Sequence, residues 1–187
     1  LMRQAVMQAG HHVAHRSAFG SLLIDKPAMQ MVLADLEVEV QAATVLMTRL
    51  AGAFDRAEGD VTEALVKRIL TPVAKYWVTK RCTPVVREAM ECLGGAGYVE
   101  ESILPRIFRE SPLNAIWEGS GNVMALDVLR VMTKEPKALE ALRLELEGSR
   151  GKDSQLDRYL DDTWRLVERP EDAEAQARRI TERLAIA

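Results

Sequence analysis

Acidic residues are missing from the first 24 positions; Asp25 is the first carboxylate in the chain. Aromatic residues are scarce at 5%, while Ala, Leu, Val and Met are plentiful, which suits packed helices better than sheets. Only two cysteines occur, Cys82 and Cys92, at a spacing that fits no metal or redox motif, so buried reduced thiols are expected. No run of 18 apolar residues is present, which excludes a helical membrane span, and no signal peptide is visible. A cytoplasmic location and no membrane partner are therefore expected. Positive charge is not in excess: the net charge is −3, which does not suit a protein built to wrap nucleic acid. Leu1 already stands inside a helical pattern, which predicts that the sequence starts within a longer protein.

Helical periodicity dominates what is there. Residues 2–19 read as a helix carrying three histidines and stopping at Phe19-Gly20. A second helix is predicted from Pro27, a good first-turn residue, to Ala57. Its apolar positions Met29, Leu33, Leu36, Val40, Ala43, Met47, Leu50 and Phe54 alternate by 4 and 3, the mark of a bundle seam. Gly59-Asp60 breaks the pattern, and Thr62 restarts it as a third helix to Leu93, with kinks or breaks expected at Pro72 and Pro84. Residues 94–104 read as loop, 105–111 as a short helix, and Asn122–Met132 as the fourth long one. The fold class is all-α: an antiparallel four-helix bundle over 1–133 with a small helical appendage over 134–187. The appendage divides into segments near 136–147, 153–168 and 171–186.

Three stretches carry chemistry. Ala115-Ile116-Trp117-Glu118-Gly119-Ser120-Gly121-Asn122-Val123 sets a carboxylate after a bulky apolar pair and before a glycine-rich turn that opens a helix. Packing against Trp117 is expected to strip water from Glu118 and raise its pKa toward the range of a general base. The helix start behind it offers free N–H groups to an oxyanion or a phosphate. Taken alone, the stretch reads more simply as a surface Glu before an N-cap at Ser120. The second stretch, Glu91-Cys92-Leu93-Gly94-Gly95-Ala96-Gly97-Tyr98, ends a helix in a glycine loop, and the third, Arg16-Ser17-Ala18-Phe19-Gly20, ends another.

In this order and register the three stretches, with Arg109, resemble the C-terminal domain of the acyl-CoA dehydrogenases over residues 1–133. The segments 88–102 and 116–122 are most similar to the alkylation-response (AidB-type) branch. The resemblance implies an FAD cofactor, an acyl-CoA substrate, and a homo-oligomer, dimer or tetramer, whose FAD sites are shared between subunits. It implies that Glu118 is the base for the substrate α-proton. Some members place the base on the first helix of this domain, but the acid-free stretch 1–24 leaves Glu118 as the candidate. Cofactor contacts carried over by position are Arg16, Phe19, Gly20, Glu91, Gly94, Gly95, Ser120 and Asn122. The sequence departs from the family at Glu91 and Pro27, where Gln is common, and Ser120 and Asn122 are shorter than the usual Thr and Gln. These departures suit the AidB-type branch.

Other polar groupings point elsewhere. His11 and His15 stand four apart on one helix but lack a third ligand, so no metal site is expected and partly buried or interface histidines are. Arg109 and Glu110 read as a structural ion pair. AidB-type proteins are associated with DNA binding through the helical appendage, which makes an alkylation-response protein the alternative function. Residues 134–187 hold 11 Lys and Arg against 13 Asp and Glu, which leaves only Arg178, Arg179 and Arg183 as a local basic patch. A third reading is an oligomerisation scaffold with a decayed site.

Overall fold

Helix after helix accounts for the chain in the computed structural model, which describes residues 1–187: nine helices and one two-stranded hairpin. No helix is long and apolar enough to cross a membrane. The four long helices of the predicted bundle are α1 (Met2–His15), α2 (Pro27–Arg56), α3 (Val61–Glu91) and α6 (Gly121–Lys134). Between α3 and α6 lie α4 (Gly95–Tyr98) and α5 (Leu104–Glu110), and after α6 come α7 (Pro136–Glu147), α8 (Ser154–Glu168) and α9 (Ala173–Ile186). Helices α2 and α3 run antiparallel, as the pairs Arg81–Glu39 and Arg49–Glu63 show: later residues of one meet earlier residues of the other. Asp60 fixes the turn between them by accepting from the N–H groups of Thr62 at 2.8 Å and Glu63 at 3.2 Å, an N-cap that starts α3.

The first helix is shorter than its pattern predicts. It stops at His15, and Arg16 takes extended backbone, φ −89° and ψ 123°. Ser17–Ala18 (β1) and Ser21–Leu22 (β2) then pair antiparallel through a two-residue turn. Phe19 (φ 52°) and Gly20 (φ 84°) are both left-handed, which is what a tight hairpin turn of this twist needs. The expected breaks at Pro72 and Pro84 do not occur: α3 is helical through both. Each proline removes one N–H, but their neighbours Val73, Ala74, Val85 and Val86 are buried, and that packing holds the helix. The predicted loop 94–104 contains the short helix α4.

Packing divides the chain into two units at places other than the composition change at residue 134: 1–45 with 78–117, and 46–77 with 118–187. The first unit buries Ala5, Val6, Ala9 and Val13 of α1, Leu36 and Val40 of α2, Val85, Val86 and Ala89 of α3, and Leu104 and Ile107 of α5. The second has a core in which Leu50, Ile69, Val73, Val128 and Val131 meet Ala138 and Leu142 of α7, Leu160 and Trp164 of α8, and Ile180 and Leu184 of α9. Helices α7–α9 form one wall of this unit, because their apolar faces close the core of α2, α3 and α6 residues. Along α2 the seam shifts accordingly: Leu36, Val40 and Ala43 are buried, but farther on Leu50 and Ala53 turn inward while Met47 and Phe54 are exposed. Each half of α2 serves a different core, so one regular seam cannot satisfy both.

Ion pairs tie the second unit together. Arg68 of α3 grips Asp127 of α6 through two bonds, 2.9 and 3.2 Å, and reaches Glu135 at 3.0 Å. Arg49 of α2 bridges Glu63 of α3 at 2.8 Å and Glu145 of α7 at 2.6 Å. The bonds from Arg68 hold the Asp127 carboxyl below its usual range against the opposing effect of burial. A depressed carboxyl pKa contributes stability that is complete above about pH 4 and is lost as the pH falls through the folded-state value. Thermal midpoints measured from pH 7 down to pH 2 should therefore fall more steeply at the acid end for the wild type than for Asp127→Asn; parallel curves would rule out this pair as an acid-sensitive tie.

Candidate functional site

The nine residues predicted to form the site fall into three local groups. Arg16, Phe19 and Gly20 form the first, on and beside the hairpin. The Arg16 N–H donates to His12 O at 2.8 Å and its carbonyl accepts from Leu23 N–H at 2.9 Å, which roots the hairpin at the end of α1. Lys26 Nζ donates to Phe19 O at 2.9 Å and clamps the tip, where the Phe19 side chain is 93% exposed. The ring is thus held out into solvent on a braced turn, and Arg16 beside it is exposed as well.

The second group is the junction of α3 and α4. Glu91 ends α3 and pairs with Arg87 one turn earlier, both exposed. Gly94 adopts φ 59° and ψ −140°, a conformation in practice restricted to glycine, and starts α4. A side chain at Gly94 or Gly95 would meet no atom within 4 Å, so both leave a bare backbone facing open space. Gly97, which sequence reasoning did not single out, is fixed by sterics: a Cβ there would stand 2.3 Å from the Met90 carbonyl oxygen. Farther along, Arg109 pairs with Glu100 at 2.6 Å, not with the predicted Glu110. Sequence neighbours on a helix point about 100° apart, so Glu110 faces away.

The third group is the turn at the head of α6. Glu118 and Gly119 both take left-handed backbone, φ 52° and 110°. A non-glycine residue held there is uncommon and costs on the order of 1–3 kcal/mol, which the surroundings must supply. Two contacts do so. Lys75 of α3 donates its Nζ to the Gly119 carbonyl oxygen. Met124 Cε crowds the other side, 2.4 Å from where a Gly119 Cβ would be. Lys75 left no signal in the sequence, because its partner is backbone and lies 44 positions away. The expected packing of Glu118 against Trp117 is corrected: Trp117 is 54% exposed, Ile116 63%, and Glu118 itself is exposed. The turn displays these three residues outward together, and the desolvation expected at Glu118 is not supplied by this chain's own packing.

Ser120 stands at the N-cap of α6 but its side chain makes no capping bond, contrary to the simple N-cap reading. The first N–H groups of α6 are left for another acceptor. Asn122 is exposed and lines a small cavity of about 270 Å³ with Ala125, Leu126, Glu174 and Arg178. Uncapped N–H groups at a helix start, like an exposed guanidinium or open diglycine backbone, are each by chemistry donors suited to an anionic group.

The remaining groupings are structural. His11 and His15 stack at 4.4 Å between ring centroids, and His15 Nδ1 lies 2.8 Å from the His11 carbonyl oxygen. Both rings are exposed rather than partly buried. Cys82 and Cys92 are free and buried, and burial pushes the Cys92 thiol up to about 11. In the tail, Arg178 donates to Tyr76 Oη at 3.2 Å and Arg183 lies over the Tyr159 ring and bonds its carbonyl, while Arg179 and Arg183 line one cavity with Arg165 and Arg169.

Residues 1–133 match the family described as acyl-CoA dehydrogenase, C-terminal domain. The chain is 44% identical to AidB of Escherichia coli (strain K12) over 184 residues, 98% of this chain and 34% of that protein. It is 32% identical over 117 residues to the mitochondrial short-chain specific acyl-CoA dehydrogenase of Bos taurus, 63% of this chain and 27% of that one. The crystal structure of Caenorhabditis elegans ACDH-11 in complex with C11-CoA superposes with a TM-score of 0.89 at 28% identity, covering 98% of this chain and 35% of that one. The chain spans about a third of the length of these relatives, or less. Gly97→Ala should cost about 1–3 kcal/mol, since the Met90 carbonyl cannot move without breaking the end of α3; an unchanged unfolding midpoint in urea would refute the close approach.

Proposed function

The chain belongs to the acyl-CoA dehydrogenase family by its C-terminal domain, and from that premise we propose that it serves an FAD-dependent oxidoreductase that introduces an α,β double bond into an acyl-CoA thioester. The observation that carries this reading is the Glu118 turn: a carboxylate displayed outward on left-handed backbone, braced from behind by Lys75 and Met124. In the reaction Glu118 takes the α-proton, and the electrons of that C–H bond form the double bond as a hydride leaves the β-carbon. Bound FAD would supply the hydride acceptor. The α-proton is weakly acidic, so the base must be aimed and shielded from water. Ile116 and Trp117 offer apolar surface on which a covering domain and an acyl chain would seat beside Glu118. Arg16 would pair with the pyrophosphate, with Phe19 and Gly20 adjoining it. Gly94 and Gly95 would let backbone approach the dinucleotide, and Ser120, Asn122 and the first N–H groups of α6 would meet its polar atoms. Glu91 is held by Arg87, which fits a peripheral contact better than a direct one.

The proposed assembly is a homo-oligomer with FAD sites shared between copies. Met31, Val38 and Val45, seven residues apart on α2, are exposed at 64%, 66% and 69%, a stripe suited to a second copy.

The alternative, a DNA alkylation-response protein with little dehydrogenase activity, draws on the match to AidB, which runs through the tail beyond residue 133. Two observations favour the acyl-CoA reading. Three tail arginines are paired within the tail, Arg143 with Glu168, Arg150 with Glu147 and Asp161, and Arg165 with Asp162. ACDH-11, which was solved with C11-CoA, shares the chain's architecture over 98% of its length, tail included.

In the flavin-loaded full-length protein, Glu118→Gln should keep its flavin yet lose anaerobic bleaching of the flavin band by short and branched acyl-CoAs. Bleaching at the wild-type rate would remove Glu118 from the mechanism. A wild-type flavin that no acyl-CoA reduces, with a salt-dependent DNA mobility shift, would favour the alternative. Arg16→Ala should instead lower the flavin content of the purified protein; full occupancy would reduce Arg16 to a structural end of α1.

A further inference from the structure

Lys75 is the one half-buried residue in the run Pro72–Trp77 of α3, where its five companions are buried. Its ammonium is directed at the Gly119 carbonyl oxygen. That carbonyl belongs to the peptide joining Gly119 to Ser120, one residue beyond Glu118. A shift of Gly119 would move the Glu118 side chain with it, because the two residues are adjacent in the left-handed turn. No hydrogen bond or ion pair of the chain's own holds the Glu118 carboxylate, so its aim is set by the backbone alone. Met124 blocks the turn from collapsing toward α6, since its methyl already fills the space beside Gly119. The donor from α3 therefore supplies a directional, charge-assisted bond to the turn, and the Met124 side chain packs beside it.

We propose that Lys75 is the positioning residue for Glu118, acting through the Gly119 carbonyl to hold the carboxylate on the line of the substrate α-proton. The proposal rests on the reading of Glu118 as the base. Lys75 does not touch the reacting atoms; it limits where they can be met. Misplacing a reacting group by about 1 Å can cost on the order of 100-fold in rate, so the loss belongs in kcat rather than in substrate binding. A lysine suits the task because a compact ammonium on a flexible stem can reach across from a buried helix and satisfy a carbonyl with a charge-assisted bond.

The test uses the flavin-loaded full-length protein with Lys75→Met, which keeps most of the stem and removes the donor. Flavin content, kcat, KM and the isotope effect with α-deuterated acyl-CoA are measured side by side. The expected result is normal flavin content, KM within about a factor of two, kcat down on the order of 100-fold, and a larger α-deuterium effect as proton abstraction becomes limiting. A residue that only stabilised the fold would lower flavin content and leave kcat per flavin and the isotope effect unchanged; that outcome overturns the proposal. Lys75→Gln, with a shorter donor, covers the case in which methionine unsettles α3: the same kcat loss is expected, and unchanged kcat overturns the proposal equally. Glu118→Gln separates the two ideas. Full turnover in Glu118→Gln defeats the base reading and the positioning role with it, whereas an inactive Glu118→Gln beside a fully active Lys75→Met defeats the positioning role alone.

Discussion

From Val66 to Trp77 α3 is buried over most of its circumference, and that constraint organises the unit built around this stretch. Ile69, Leu70, Val73, Ala74, Tyr76 and Trp77 are all buried, and they cover more of the helix circumference than one neighbour could enclose. Elements must therefore pack around it, and the helix's less exposed polar side chains meet partners there. Arg68 is met by Asp127 and Glu135, Lys75 by the Gly119 carbonyl, Tyr76 by Arg178, and Arg81 by Glu39. These partners sit on α6, the turn before it, α9 and α2. The polar contacts on α3 thus fix the register of the elements that carry the candidate site, while the apolar ones supply the gain in free energy.

How much of this was legible in the sequence depended on the kind of partner. The long helices were plain, because 3.6-residue periodicity repeats over many turns and Asp60 marks a start with its own side chain. The seam on α2 was legible at Leu36, Val40, Ala43 and Leu50 but not at Met47 and Phe54, whose exposure depends on a second core made from helices far along the chain. Prolines at 72 and 84 suggested breaks because a local rule was applied where buried packing prevailed. Glu118, Arg16 and the glycine pair were legible through resemblance, and the structure gives each an outward-facing setting. Lys75 and Gly97 were not, because each answers to a backbone carbonyl, and a carbonyl has no letter of its own.

The functional groups this chain offers are displayed rather than enclosed. Glu118, Phe19, Gly94 and Asn122 are exposed, and the turns at Phe19 and Glu118 are braced by Lys26 and Lys75. Braced exposure of this sort keeps the geometry while leaving the cover to other surfaces. It accords with relatives of which the chain spans about a third, and with an exposed apolar stripe along α2.

Three tryptophans occupy unlike surroundings, and that difference has an optical consequence. Trp77 and Trp164 are 8% and 4% exposed, whereas Trp117, directly before Glu118, is 54% exposed. Water-exposed indole emits at longer wavelength than indole in an apolar interior, so the red edge of the protein's fluorescence belongs to Trp117. The molecule thus carries a built-in dye at the mouth of its candidate site, one that changes colour when that mouth is covered and needs no label to be read.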